Sequence, residues 1–578
     1  MWPTVPNKIM QVLSGVGTRP MLAHLTGTGL QSIADQKITI MARLFLGLDC
    51  GTQSLSAIVI DCDTREIVYE ISLNFDQTLP HYGTQNGTLR ASRTPSGQAD
   101  PLVVHSPPLM WAEATDVLFL QMKKDGVPLG HILAVSGSGQ QHGSVYLNDR
   151  AADALAHLNP AKSLVENLRG VFARATSPIW MDSSTTVECA EIRRKLGGIR
   201  ATAQKTGSDT FERFTGPQIR KFYKTEPEDY AGTAGIALVS SFMASIIAGR
   251  IAQIDYGDGA GMNLMDIKRR TWHPDALKAT APRLKQKLPP LAPSWQVIGS
   301  VSPYFVKKYG LNPAAQAMVW TGDNPCSVIG LGLIHEGMVA ISLGTSDTYF
   351  GSMKRCRTDA HGEGHVFGSP TGDYMTLICF KNGSLAREKI RNHYGLDWNG
   401  FNNALAVTPP GNNGGIILPW FEAEIVPRVN KPGIQRFDLE ERDADANCRA
   451  VVEAQMMSMR LHSQWMKVEP KRIYATGGAS RNTAVLQIMA DIHACPVLRI
   501  EVAKSAALGA ALRAMHGWLL HNGEKPKWEE IIAGFANPIP KSEIRPNPRA
   551  VRVYDMLLGK YAKCERETLK ELNEVQGV

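Results

Sequence analysis

LFLGLDCGTQS, residues Leu44 to Ser54, places a strand, an acid and a glycine turn in one short stretch. Leu44 to Leu48 are apolar or glycine throughout, the run expected of a strand covered on both faces. Asp49 arrives where that strand should end. After the Gly-Thr-Gln-Ser turn, a second and largely apolar run extends from Leu55 to Ile60. The expected hairpin therefore has a chemically loaded tip. Gly51 lets the backbone come close to a ligand, Thr52, Gln53 and Ser54 offer donors, and the Asp49 carboxylate can hold a hydrated Mg²⁺ beside phosphates. Taken alone, the stretch also reads as an ordinary hairpin with a polar tip. The chain repeats it, however. Met338 to Thr348 reads MVAISLGTSDT, an apolar strand followed by Gly344, Thr345, Ser346, Asp347 and Thr348. Two such turns point to a duplicated domain, with two phosphate-facing loops across one cleft.

Composition narrows the classes. At 578 residues the chain suits two to four domains, and 43% apolar with 20% charged residues is a globular composition with ample core. No window approaches the ~18 uninterrupted apolar residues of a membrane span. The net charge of +8 is small for this length and there is no block of basic residues, so neither nucleic acid nor membrane is expected as a partner. Nine cysteines are scattered and never form a CxxC pair, which argues against a zinc site or disulfide framework and for a reducing, cytoplasmic setting. Residues 1 to about 42 carry no strong pattern and no long apolar segment, and are expected to be an extension without structure of its own rather than a secretory signal.

Further along, Ile67 to Leu73 reads as a third strand and Met110 to Lys123 as a helix. His131 to Val135 is a buried strand that opens onto SGSGQQHG, Ser136 to Gly143, where Gln140, Gln141 and His142 face either a polar ligand or simply the protein. Asp182 in IWMD reads as a helix cap. Arg213 lies in GSDTFERFTGPQIRK, as a cation reaching into a cleft or as a surface arginine. Ala237 to Gly249 is an apolar helix leading to IDYGDGAGMNL, a glycine loop that carries Asp255 and Asp258. Ala317 to Thr321 forms a strand, and Gly322-Asp323-Asn324-Pro325 turns into the helix Cys326 to Leu333. An acid at such a strand end lies where open α/β sheets present ligands, and the helix N-terminus is expected to keep Asp323 ionised. After a long helix, Asp443 to Lys467, the strand Arg472 to Ala475 runs into TGGASRN, whose glycines suit a nucleotide lying on the backbone.

Together these stretches resemble the FGGY carbohydrate kinases, and within them the branch that acts on D-xylulose. GLDCGTQS, SGSGQQHG, WMDSST, ERFTGPQI, IDYGDGAGMNL, TGDNP, SLGTSDT, CFKNGSLAREKIR and ATGGAS occur in the family's order, from Leu44 to about Gly517. The resemblance implies an α/β protein of two actin-like (ribonuclease H-like) domains flanking a catalytic cleft. Residues 43–334 would bind sugar and carry the first phosphate loop, 335–545 would bind ATP, and 546–578 would form a helical tail. It implies that His142, Arg213, Asp323 and Asn324 hold a ketose, with Asp323 as general base. Asp49 would serve Mg²⁺, with Gly51 and Thr52 on the same phosphate side and Gly344 and Thr345 facing them. Trp398, Gly477, Gly478 and Asn482 would hold the nucleotide of ATP. A homodimer is compatible with all of this. Pro217 and Cys326 depart from the family's usual asparagine and alanine, and residues 1–42 have no counterpart in it. The other classes considered are an actin-type ATPase without a sugar site, a catalytically dead homologue, and a kinase for ribulose, glycerol or gluconate. The loss of Asp49 or Asp323 would mark the dead homologue, and both are present.

Overall fold

Two sheets of one plan carry the chain. The computed structural model describes residues 42–90, 100–500 and 504–575, so the extension expected at the N-terminus lies, up to residue 41, outside the described residues. In the first lobe the strands lie side by side in the order Glu66–Asn74, Ser54–Asp61, Leu44–Cys50, Ile132–Gly139, Gln316–Met318 and Val297–Ser300. Leu44–Cys50 pairs antiparallel with Ser54–Asp61 and parallel with Ile132–Gly139, which is in turn parallel to Gln316–Met318. The second lobe repeats that order: Tyr374–Phe380, Asp347–Met353, Met338–Leu343, Arg472–Thr476 and Val497–Arg499. Here again the central strand has one antiparallel partner, Asp347–Met353, and one parallel partner, Arg472–Thr476. An additional strand, His365–Gly368, lies on the outer edge beside Tyr374–Phe380. The duplication legible in the two glycine-threonine turns is thus a duplication of topology.

The alternation along Leu44–Cys50 explains its burial on both faces. Leu44, Leu46 and Leu48 join a core with Trp111, Leu118 and Phe119 of the helix Pro108–Lys124. Phe45 faces the opposite way, into a core built with Ala507, Leu508, Ala511 and Leu512 of the helix Ser505–His521. That helix presses so closely that a Cβ on Gly47 would overlap Ala507 O and Ala511 N, and one on Gly509 would overlap Cys326 O. Buried Arg513 secures it by donating to Gly137 O at 3.0 Å, Val319 O at 2.8 Å and Ser294 O at 3.2 Å.

These contacts revise the division expected at residue 334. That boundary separates the two sets of strands, but the helix Ser505–His521, placed by the sequence reading in the second domain, packs on the first lobe's sheet. Its run of alanine and glycine makes the helix face thin enough to do so. The helical tail expected at 546–578 is the helix Pro548–Val575, and its Ala550, Tyr554, Leu557 and Tyr561 are part of the second lobe's core. IDYGDGAGMNL also differs from the expected loop. Tyr256–Ala260 is a helical turn, capped by Asp255, whose Oδ1 accepts the Asp258 N–H at 2.8 Å. The apolar helix that precedes it begins only at Val239, because Gly235–Leu238 pairs as a strand with Ser144–Leu147. Among the described residues no helix is long and apolar enough to cross a membrane.

Replacing Gly509 by Val is expected to destabilise the protein by at least about 2 kcal/mol, because backbone rather than a movable side chain occupies the space. Gly559→Ala, at a helical position with nothing within 4 Å of the added carbon, is expected to be neutral or stabilising by up to about 1 kcal/mol. Thermal melting of the two variants beside the parent protein checks both.

Candidate active site

Strand register brings two acids together. Asp49 lies opposite Ser138 on the neighbouring parallel strand, and Thr321-Gly322 pairs with Ser138-Gly139 on that strand's other side. Three strand ends therefore open at one edge, with Asp49 on one and Asp323 immediately after another. The Asp49 carboxylate accepts the Ser138 hydroxyl at 2.8 Å, and enclosure by protein pushes its pKa up to about 6. Asp323 is the first residue of the helix Asp323–Gly330. Its Oδ1 accepts the Asn324 N–H at 2.8 Å and the Asn324 side-chain amide at 3.1 Å. Its pKa is pushed up to about 7, first by enclosure and then by the nearby charge of Asp49. The expectation that the helix N-terminus alone would keep Asp323 readily ionised is thus corrected. Desolvation and a like charge outweigh the favourable dipole and hydrogen bonds.

Around this pair the strand ends offer unused donors. Gln141 Oε1 accepts from Asn324 Nδ2 at 2.9 Å, whereas the Nε2 groups of Gln140 and Gln141 are buried with no partner among the described residues. Trp180 Nε1 donates to Thr52 Oγ1 at 2.8 Å, pinning the turn after Asp49. His142 holds a backbone conformation with φ of 72°, and its Nδ1 lies 2.9 Å from the carbonyl of Gly261. A carbonyl can only accept, so Nδ1 carries the proton and Nε2 is an acceptor. Burial, then the charge of Arg213, hold the ring neutral by pushing its pKa down to about 3. The ring packs 4.5 Å from that of Phe214. Arg213 sits over Phe211 and Phe214 with its guanidinium carbon 5.2 and 5.8 Å from their ring centres.

In the second lobe a cavity of about 580 Å³ is lined by Gly344 and Thr345 of one turn, Trp398 and Asn402 of a helix, and Gly478 and Asn482 of another turn. Gly477, beside it, has a φ of 87°, and a Cβ there would stand 2.5 Å from Leu343 O, so glycine is required. Trp398 is 44% exposed, with the Arg391 guanidinium 4.3 Å from its ring centre. Below the Gly344-Thr345 turn, buried Arg387 clamps Asp347 through bonds of 2.9 and 3.2 Å.

Residues 175–330 match the N-terminal domain, and residues 339–518 the C-terminal domain, of the FGGY family of carbohydrate kinases. Xylulose kinase of Rattus norvegicus is 42% identical over 540 residues, spanning 92% of this chain and 98% of that protein. The chain belongs to the FGGY family of carbohydrate kinases. Solved structures agree on the fold. Xylulose kinase of Rhodospirillum rubrum superposes with a TM-score of 0.75 at 19% identity, covering 92% of this chain and 100% of that one. Gluconate kinase of Lactobacillus acidophilus also reaches 0.75, at 18% identity and with 92% and 100% covered. The two-domain, actin-like α/β architecture is common to all of them.

Within this FGGY kinase, Asp49, Thr52, His142, Asp323 and Asn324 come together at the first lobe's strand ends, while Gly344, Thr345, Trp398, Gly478 and Asn482 line the cavity of the second. Asn482 differs from expectation in one respect. Its side chain is already engaged, Oδ1 capping the helix Thr483–His493 and Nδ2 donating to Asn402 at 2.5 Å, so it shapes the cavity through that helix start. Asp182 stays apart. Its carboxylate accepts from Val104 N, Ser184 and Gln218, so it braces neighbouring segments rather than capping the helix Thr186–Leu196, whose N-cap position is Thr185. Asp258 is more deeply engaged than a loop acid would be. Ser240 Oγ donates to its Oδ2, its Oδ1 is buried without a partner among the described residues, and burial pushes its pKa well up. Sequence reasoning missed Phe211, Phe214, His365 and Phe367, which build an aromatic wall beside His142 and Arg213. HVFG at 365–368 looks like any strand, and no local signal marks it.

An acid whose folded pKa is raised keeps its proton where the unfolded chain has lost it. Ionising Asp323 therefore costs stability as pH rises from the ordinary 3.8 toward about 7. Asp323→Asn is expected to raise the melting temperature at pH 8 and to change it little at pH 5, where the native carboxyl is still protonated. Equal effects at both pH values in a melting series would contradict this electrostatic reading.

Proposed function

We propose that this FGGY kinase transfers the γ-phosphoryl group of ATP to the terminal hydroxyl of D-xylulose, giving D-xylulose 5-phosphate. The observation that carries the choice of sugar is the 42% identity to rat xylulose kinase over 92% of the chain. The fold alone does not choose, since a gluconate kinase superposes as well as a xylulose kinase. In this reading His142 Nε2 accepts a sugar hydroxyl, and Arg213 and Asn324 donate to sugar oxygens. Asp323 takes the proton from the attacking hydroxyl, a contribution of ~10²–10⁴-fold in such reactions. An acid poised near 7 suits that task, because it is free to accept a proton yet basic enough to want one. Gly51 and Thr52 meet the phosphates from one lobe, and Gly344 and Thr345 from the other. Trp398, Gly477, Gly478 and Asn482 frame the nucleotide.

Mg²⁺ fits at Asp49. Among the described residues no group of three or more His, Cys, Asp or Glu side chains forms a ready-made cage. Mg²⁺ bound with phosphates and water needs only one or two carboxylates, and Asp49 has Ser138 as its side-chain partner and no cationic partner among the described residues. When bound there, the ion would neutralise phosphate charge. Closure of the lobes over the sugar excludes water from the transfer. A cytoplasmic setting belongs to the same reading, supported by nine cysteines that all stand as free thiols.

The test is coupled ADP release over D-xylulose, L-xylulose, ribulose, glycerol and gluconate, with D-xylulose expected to give the highest kcat/KM. A higher value for another acceptor would reassign the substrate. In the same assay Asp323→Asn is expected to lose ~10²–10⁴-fold in kcat while still binding ATP. Sugar-dependent turnover at the parental rate would remove Asp323 from its role.

A further inference from the structure

The sugar side of the site is not made by the first lobe alone. The edge strand His365–Gly368 of the second lobe reaches across and docks on it, the Val366 N–H donating to Gly207 O at 3.0 Å. A Cβ on Gly207 would stand 2.5 Å from Val366 O, one on Gly257 2.8 Å from Gly368 O, and one on Gly368 2.9 Å from the Tyr256 backbone. Such close main-chain approaches fix the strand relative to the first lobe. They set the buried ring of His365 at 4.6 Å from Phe211 and 5.4 Å from Phe214, with Phe367 behind it. Arg213 Nη2 lies 3.1 Å from His365 Nε2.

A guanidinium can only donate, so His365 Nε2 must accept, and the ring is the neutral form with its proton on Nδ1. That Nδ1 is buried with no partner among the described residues. We propose that His365 is a positioning residue for the sugar: from the second lobe it holds the Arg213 guanidinium, so that the other N–H groups of Arg213 point at the substrate. The inference rests on the kinase reading given above. Arg213 has no other hydrogen-bond or ion-pair partner among the described residues, so Nε and Nη1 remain for sugar oxygens. An arginine side chain held at one nitrogen and sandwiched on Phe211 and Phe214 has already given up most of its rotamer freedom before the sugar arrives. The acceptor's chemistry matters as well. A carboxylate in this place would orient Arg213 equally well but would neutralise its charge and compete for the same donors. A neutral imidazole orients it and leaves the full positive charge for the ketose.

Because His365 belongs to the lobe that carries the nucleotide cavity, the same bond ties the sugar-binding arginine to the relative placement of the two lobes. The test uses the full chain with two substitutions. His365→Phe keeps an aromatic ring and removes the acceptor, and His365→Gln returns an acceptor oxygen near the position of Nε2. His365→Phe is expected to raise the KM for D-xylulose about tenfold, the ordinary worth of one hydrogen bond to a charged group. The KM for ATP and kcat should stay within about twofold, and His365→Gln should recover most of the loss. Melting temperatures of both variants are read alongside. A parental KM in His365→Phe overturns the proposal. So does a parallel loss in the sugar and ATP constants that His365→Gln fails to rescue, since that pattern belongs to damaged packing. If the parent protein turns over no sugar at all, the kinase reading falls and this inference with it. Turnover by the parent and an unchanged His365→Phe remove only the role of His365.

Discussion

Everything in the site depends on holding two carboxylates close together inside protein. Burial raises the cost of ionising both Asp49 and Asp323, and the charge of Asp49 raises that of Asp323 further, so that their pKa values are pushed up to about 6 and about 7. Left to themselves, two such acids would move apart or be replaced. They persist because the backbone leaves them no choice. Asp49 is in register with Ser138, the Thr321-Gly322 strand pairs on the other side of the same strand, and the helix begins at Asp323. On the proposed reading that cost serves the chemistry, since a poised acid and a carboxylate open to a cation suit phosphoryl transfer to an alcohol.

Rigidity for that arrangement comes from a part of the chain remote in sequence. The helix Ser505–His521 lies against the strand Leu44–Cys50 and against Asp323–Gly330 at distances that only glycine allows. Arg513 on it donates to the carbonyls of Gly137, within the strand Ile132–Gly139, and of Ser294 and Val319 beside the neighbouring strands. A buried guanidinium without a carboxylate partner is costly by itself, but here it answers three main-chain acceptors and lends positive potential to the neighbouring acids Asp255 and Asp258. A segment that follows the second lobe's strands thus braces the acid pair of the other lobe. That explains why a division of the chain at a single residue describes the strands and not the packing.

The two lobes also share the side proposed to hold the sugar. His142 and Arg213 belong to the first, but the wall they pack near contains His365 and Phe367 from the second. If His142 and Arg213 hold the sugar as proposed, specificity is a property of the pair of lobes, and small differences in how they dock bear on which polyol fits.

The sequence by itself determined the duplicated strand-glycine-threonine turns, Asp49 and Asp323 at strand ends, the glycines of the Gly477-Gly478 turn, and the central strands Leu44–Cys50 and Met338–Leu343 with some of their neighbours. Each of these is written in local chemistry: an apolar run, then a residue whose backbone or charge has one use. It also ordered the motifs well enough to name the family. The tertiary structure alone decided the rest. That Asp323 is harder to ionise than a helix N-terminus suggests follows from its burial and then from Asp49, far away in the chain. That Asp258 sits in a buried helical turn follows from Asp255 and Ser240. That Ser505–His521 braces the first lobe, and that His365 meets Arg213, are contacts between segments whose own residues carry no mark of them. Local propensity is read residue by residue, whereas desolvation, like-charge repulsion and close packing exist only between segments that the fold has brought together.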